Sequence, residues 1–244
     1  MSLRYWFVIV TFVLAQILSA IMALPLGLLG MDLGAIMATS TITSFALGLF
    51  VIWLLIRNES DPIRGNQPPA SVGWSTLWVV IGFFLALFGQ QAAFYIQSFL
   101  FGVEAESENT RMILDMMSDN LWILLAVAVL GPIIEELVFR QAIFGHLYKK
   151  MNFFWAALIS SAIFSIVHLD FSHILVYTAM GFVFSYLYVK TKRIIVPIIA
   201  HVLMNTFASL PIIFLEIMDM DLDDLEELEE SLQFIIGALG ALIS

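Results

Sequence analysis

Gly131-Pro132-Ile133-Ile134-Glu135-Glu136-Leu137-Val138-Phe139-Arg140 lies inside an apolar run from about residue 121 to 147. Three ionisable side chains thus fall within a segment long enough to cross a bilayer. An ionised group at the centre of a membrane helix costs about 3 kcal/mol on the insertion scale. Two carboxylates and a guanidinium therefore require partners, water or a chemical task.

The rest of the chain makes the membrane reading general. Of 244 residues, 61% are hydrophobic and 12% charged, and the mean hydropathy is +0.98, far from the composition of a soluble domain. Apolar runs near twenty residues long occur at about 5–24, 35–56, 77–101, 121–147, 153–170, 172–189 and 194–215. A shorter one, 232–243, is a tilted eighth span or an interfacial helix. The expected fold is all-α: a polytopic transmembrane helical bundle of seven to eight membrane-spanning helices, residues 1–244 forming a single integral membrane domain. The first run is longer than the apolar region of a signal peptide and is read as a retained span.

Charge sets the orientation. With the N-terminus cytoplasmic, Arg4, Arg57, Arg64, Lys149, Lys150, Lys190, Lys192 and Arg193 lie inside and Arg111 alone outside, as the positive-inside rule requires. The net charge of −10 is concentrated, because nine of the twenty acids fall between Glu216 and Glu230. Segment 216–231, with leucines at 222, 225 and 228, reads as an acidic amphipathic helix; it lacks the turn glycine and alternation of a calcium loop. No basic surface for nucleic acid is present, and the absence of cysteine removes thiolate metal sites and a cysteine nucleophile.

Helical geometry divides the charged cluster. Glu136 and Arg140, four apart, share a face and pair; Glu135 lies about 100° away, on a face with the small residues Ala128, Gly131 and Ala142, and is free to line a cleft. Pro132 cannot donate to Ala128, so a kink near Gly131 is expected, with both glutamates in the first turn of the following half-helix. Later runs hold further polar groups: His168 with Ser161 and Ser165 nearby, and His201 with Asn205 one turn on. Together with Glu135 these suit activation of a water and stabilisation of an oxyanion; taken singly, each also serves as a hydrogen bond between helices. His146, His173 and Asp170 fall near span ends, where water satisfies them. Straight vertical helices would place Glu135, His168 and His201 at different depths, about 18, 22 and 11 Å from the cytoplasmic end.

The chain has no His-Glu-x-x-His, no Gly-x-Ser-Gly behind a paired histidine and no Gly-x-Gly-Asp, the signatures of other membrane proteases. Three patterns in order, Glu135-Glu136-x-x-x-Arg140, Phe164-x-x-x-His168 and His201-x-x-x-Asn205, resemble the CPBP family, the CAAX prenyl protease and bacteriocin-processing enzymes also called Abi proteins. The resemblance covers about residues 120–210. It implies an intramembrane endopeptidase acting on a membrane-associated peptide or protein, with Glu135 and His168 activating water, His201 and Asn205 stabilising the oxyanion, and Glu136 and Arg140 in support. No cofactor is required in this reading; zinc held by Glu135, His168 and His201 is the chemical alternative. A compact chain of this kind is similar to bacterial members, placed as multi-pass proteins in the cell membrane. The competing readings are a non-catalytic scaffold or bacteriocin self-immunity protein binding in the same cleft, and a solute transporter using the buried charges as a proton relay.

Overall fold

The computed structural model describes residues 1–65, 67–103, 116–117 and 120–218, the side chains of Leu215 and Glu216 excepted. Beyond Met218, the acidic segment and the stretch 232–243 lie outside the described residues, as does Arg111. In a bilayer every backbone polar group must be satisfied within the protein, which leaves helices as the form these apolar runs can take. Those runs become α1 (Leu3–Leu28), α2 (Leu33–Ile56), α3 (Val72–Phe101), a composite α4, α5 (Phe153–Val167), α6 (Ile174–Thr191), α7 (Ile195–Ala208) and α8 (Leu210–Met218). Helix α4 runs without a break through Leu125–Leu130, Gly131–Glu135, Glu136–Phe144 and Gly145–Leu147.

Polar residues start several of these helices. Asp32, Ser71 and Asn152 cap α2, α3 and α5 by accepting the backbone N–H of Ala35, Trp74 and Trp155, satisfying donors that a helix start otherwise leaves open. Outward faces are apolar, with Trp6, Leu14, Phe88, Phe99 and Ile159 among many large exposed side chains. Such a surface is solvated by lipid, and α1, α2, α3 and the segment Phe171–Thr191 are each long and apolar enough to cross. Helices α5 and α7 are shorter, with 15 and 14 residues, or about 22 and 21 Å.

Two apolar clusters meet at the site. One joins α1, α2, α4 and α5 through Val8, Phe12, Ile52, Val138, Phe139 and Phe164. The other joins α3, α6 and α7 through Val79, Ala86, Met180, Phe184, Leu187 and Met204. Helices α5 and α6 approach closely at Gly181, where an added Cβ would lie 2.6 Å from the Cβ and 3.1 Å from the Cα of Ser161. Backbone cannot yield as a side-chain tip does. Gly181→Val is therefore expected to cost at least the 1–3 kcal/mol typical of overpacking, measured as a lowered unfolding midpoint in detergent.

The connections at one end of the bundle are knit together. Arg4 pairs with Glu59 at 3.2 Å, the Tyr188 hydroxyl donates to Asp61 at 2.8 Å, Ala70 N–H donates to the Thr191 carbonyl, and Arg193 Nε donates to the Ala70 carbonyl. The basic residues Arg4, Arg57, Arg64, Lys190, Lys192 and Arg193 thus gather at one end, as expected from their placement between spans.

Two expectations are corrected. The run 194–215 is not one helix but divides at Ser209. The run 153–170 stops at Val167; His168 caps α5 and Leu169 follows at φ 57°, a left-handed conformation that ends a helix.

Candidate active site

Helix α4 departs from regular α-geometry on both sides of the glutamates. Leu125–Leu130 and Glu136–Phe144 are π-helical, with only Gly131–Glu135 α-helical between them. Gly131 N–H reaches back to the Ala126 carbonyl, an i→i+5 bond of the kind that concentrates at functional sites. Leu130 and Gly131 keep right-handed helical angles, φ −67°, ψ −42° and φ −56°, ψ −61°. The expected restart of the helix at Pro132 is therefore absent, and neither glutamate sits in a first turn with free N–H groups. The wider turn accommodates the proline instead.

That accommodation explains Asn205. In the i→i+5 register the partner of the Val127 carbonyl is residue 132, a proline with no N–H to give. Asn205 Nδ2 on α7 donates to that carbonyl at 3.1 Å. Asn205→Leu would leave a part-buried acceptor without its partner, at a cost of about 1 kcal/mol. Pro132→Ala supplies a backbone donor, so the same substitution in that background is expected to cost clearly less, a coupling that a double-mutant cycle of unfolding midpoints measures. The second π segment is tied across by Ser160 Oγ of α5, which donates to the Phe139 carbonyl at 2.7 Å.

Glu136 and Arg140 form the expected pair and are fully buried, with Arg140 Nε 3.3 Å from Glu136 Oε2. The contact is electrostatic, without the alignment of a hydrogen bond. The guanidinium instead lies over aromatic faces, 4.4 Å from the Phe164 ring centroid and 5.5 Å from that of Phe184, where a planar cation is attracted by the ring quadrupole. Glu136 has a further role that helix periodicity did not reveal. Its Oε1 accepts from His201 Nδ1 at 3.0 Å, orienting the ring so that Nε2 faces Glu135.

His201 is 2% exposed, stacked on Phe184 at 4.6 Å and edge-on to Phe164. Its Nε2 lies 3.8 Å from Glu135 Oε2, so the ring stands between two carboxylates, one for each nitrogen. Glu135 keeps 19% of its side chain exposed and lines a cavity of about 690 Å³ with His168, His201 and Asn205. His168 Nδ1 donates to the Phe164 carbonyl at 2.8 Å, which leaves Nε2 as the ring nitrogen not engaged by that bond. The ring lies against Tyr177, centroids 4.3 Å apart.

All four residues expected at the site thus line one cavity despite the depth mismatch. The π segment 136–144 packs more residues into each turn, so Glu135 advances less along the axis and lies closer in depth to His201 than a regular helix would place it. The same change of register revises the face: Gly131 and Val127 line the cavity with Glu135, whereas Ala128 and Ala142 are packed away at 3% and 0% exposure.

Other sequence readings also change. His173 is not a water-satisfied residue at a span end; it is buried, lines the cavity, and its Nδ1 lies 3.1 Å from Asp170 Oδ1. His146 bonds the Ala142 carbonyl and packs edge-on to Tyr5, away from the cavity. Ser165 is spent on the Ser161 and Ile174 carbonyls and on Thr178. Gln16, Gln90 and Gln91 also line the cavity. Sequence inspection missed them because α1 and α3 carry no motif, although a glutamine inside an apolar span is itself a signal. Among the described residues no three of His, Asp and Glu are disposed around a common metal position. Glu135, His168 and His201 therefore do not fit as a zinc ligand set, which needs donors converging at about 2 Å from the ion.

Residues 117–207 match the family described as "Type II CAAX prenyl endopeptidase Rce1-like". "Putative membrane peptidase YdiL" of Bacillus subtilis (strain 168) is 42% identical over 248 aligned residues, covering 98% of this chain and 99% of that protein. The chain belongs to the Rce1-like family. Within that family of membrane proteases it is also similar to "Membrane-embedded CAAX protease MroQ" of Staphylococcus aureus (strain USA300), 37% identical over 136 residues, 53% of this chain and 55% of MroQ. "UPF0177 protein YxdF" of Lactococcus lactis subsp. lactis (strain IL1403) is 36% identical over 84 residues, 34% of this chain and 46% of YxdF. No solved structure matches. The Rce1-like match takes in α4 to α7 and all four cavity residues of the three motifs, whereas Gln16, Gln90 and Gln91 precede it.

Proposed function

We propose that this Rce1-like protein is an intramembrane endopeptidase that hydrolyses a peptide bond of a membrane-associated peptide or protein. The observation that carries the reading is Glu135, a carboxylate free of the Glu136–Arg140 pair and facing the cavity beside His168 and His201. A water between Glu135 and His168 gives one hydrogen bond to the carboxylate and one to His168 Nε2. As its oxygen attacks the carbonyl carbon, a proton passes to Glu135 and the carbonyl oxygen takes the negative charge. His201, oriented by its Nδ1 contact with Glu136, presents Nε2 to that oxygen as a hydrogen-bond donor. The second N–H of the Asn205 amide, beside the one bound to Val127, supplies another donor. Collapse of the intermediate breaks the C–N bond, and Glu135 returns its proton to the leaving amine. Positioned base and preorganised donors are what amide hydrolysis needs.

Orientation follows the charge: the basic end is cytoplasmic, with the N-terminus there, and the cavity lies in the outer half, bounded by the later turns of α3. Comparative profiling of membrane peptides from cells bearing wild type or Glu135→Ala tests the reading, an unchanged peptide set being the outcome against it. Full biological activity of the stably expressed variant would favour the binding scaffold or immunity role. The glutamate chemistry carries a separate expectation: cleavage persists when the purified protein is treated with 1,10-phenanthroline, and loss restored by added zinc would count against it.

A further inference from the structure

The mechanism leaves the three cavity glutamines without a task. Gln90 and Gln91 lie on one stripe of α3 with Leu87 and Phe94, and Gln16 follows Phe12 by one turn of α1; both sets keep the i, i+3, i+4 spacing of a single helix face. They lie well along their spans, about 27 Å from the start of α3 for Gln90 and about 20 Å from the start of α1 for Gln16, with side chains open to the cavity rather than packed in the core. No described residue hydrogen-bonds any of these three amides. Gln97, two turns further along α3, shows the contrast. Its carbonyl accepts Leu175 N–H at 3.0 Å and its amide donates to the Ser172 carbonyl, so it is used up in holding the start of α6.

An uncommitted amide at membrane depth is costly unless it meets water or a polar occupant. The occupant expected of a peptidase has the matching problem. A peptide bond in a helix has its N–H and C=O engaged, and when the segment extends for attack, each group loses its partner in a medium that offers none. A glutamine side chain has one acceptor and one donor group in the same plane, the pattern of a peptide unit. Phe12, Leu87 and Phe94 set apolar surface beside these amides, and the described cavity wall includes no lysine or arginine.

Resting on the peptidase reading, we propose that Gln16, Gln90 and Gln91 bind the backbone of the substrate's unwound, extended stretch, while the adjoining Phe12, Leu87 and Phe94 receive apolar side chains. The substrate class is then a membrane-inserted peptide with uncharged, apolar residues around the cleaved bond. These glutamines are specificity residues contributed by helices outside the Rce1-like match.

The test uses the full-length protein in bilayer nanodiscs and a library of internally quenched, leucine-rich membrane peptides, the member cleaved fastest by wild type serving as probe. Gln90→Leu/Gln91→Leu and, separately, Gln16→Leu are expected to raise KM by about tenfold or more with kcat little changed, the equivalent of one lost hydrogen bond at about 1.4 kcal/mol. Replacing probe amides by esters one at a time removes single N–H groups. An ester that weakens wild type but has no added effect on a glutamine variant marks the paired bond. Unchanged KM in both variants, or ester effects that simply add, would overturn the proposal. If wild type cleaves no library member, the peptidase reading fails on its own. Anisotropy of the same labelled peptides then decides this inference: weaker binding to the glutamine variants supports it and equal binding overturns it. Matched unfolding midpoints exclude misfolding as the cause.

Discussion

Glu135→Gln is expected to lower kcat by about 10³-fold, within the 10²–10⁴ range attributed to a positioned general base, while leaving the unfolding midpoint close to that of wild type. The substitution keeps shape and removes only the ability to take a proton. Stability is little affected because the Glu135 carboxylate is outside the buried pair, partly exposed to the cavity, and 3.8 Å from His201 Nε2. Cleavage of a quenched membrane peptide by the purified variant measures the first quantity and thermal unfolding in the same detergent the second. A variant that retains a tenth or more of the wild-type rate would remove Glu135 from the role of base.

Arg140→Met should have the opposite profile, with a loss of stability of about 3–5 kcal/mol, the cost of leaving one partner of a buried pair uncompensated. The guanidinium is enclosed by Phe139, Phe164 and Phe184, so methionine fills much of the space, and the main penalty is the charge left on Glu136. Adding Glu136→Gln removes that charge, and its amide oxygen still accepts His201 Nδ1–H. The double variant is therefore expected to regain most of the lost stability, since buried ion pairs replaced as a pair are often neutral. Denaturation in mixed micelles compares the three proteins; equal instability of single and double variants would show that ring stacking, not charge compensation, holds this core. Activity should recover less than stability in the double variant, because a neutral amide holds the His201 Nδ1–H, and so the ring's orientation, less firmly than a carboxylate does.

The pairing of Glu136, rather than Glu135, with Arg140 was legible from spacing alone. A four-residue separation puts Glu136 against Arg140 whatever the surroundings, and the observed pair is the one expected. Convergence of His168, His201 and Asn205 with Glu135 was legible only as chemistry, through residue types that suit one reaction. Their depths did not match, because a uniform rise per residue was assumed for a helix that is π-helical over Leu125–Leu130 and Glu136–Phe144. Nothing local marks such widening except Pro132, and its consequence, a carbonyl met by Asn205 from 78 residues away, depends on where α7 packs. His173 was misplaced for a related reason. A break after Val167 returns the chain into the bundle, so a residue near a span end becomes part of a cavity wall.

By itself, then, the sequence determined a helical membrane protein, the end at which its basic residues gather, and a pair of adjacent glutamates with different surroundings, because hydropathy, charge and helical period act over short distances. Only the tertiary structure decided that His201 links both carboxylates, that Asn205 covers the carbonyl opposite Pro132, and that three glutamines from α1 and α3 face the same cavity. Each of these depends on contact between helices far apart in the chain, set by packing of whole faces that no single stretch of residues encodes.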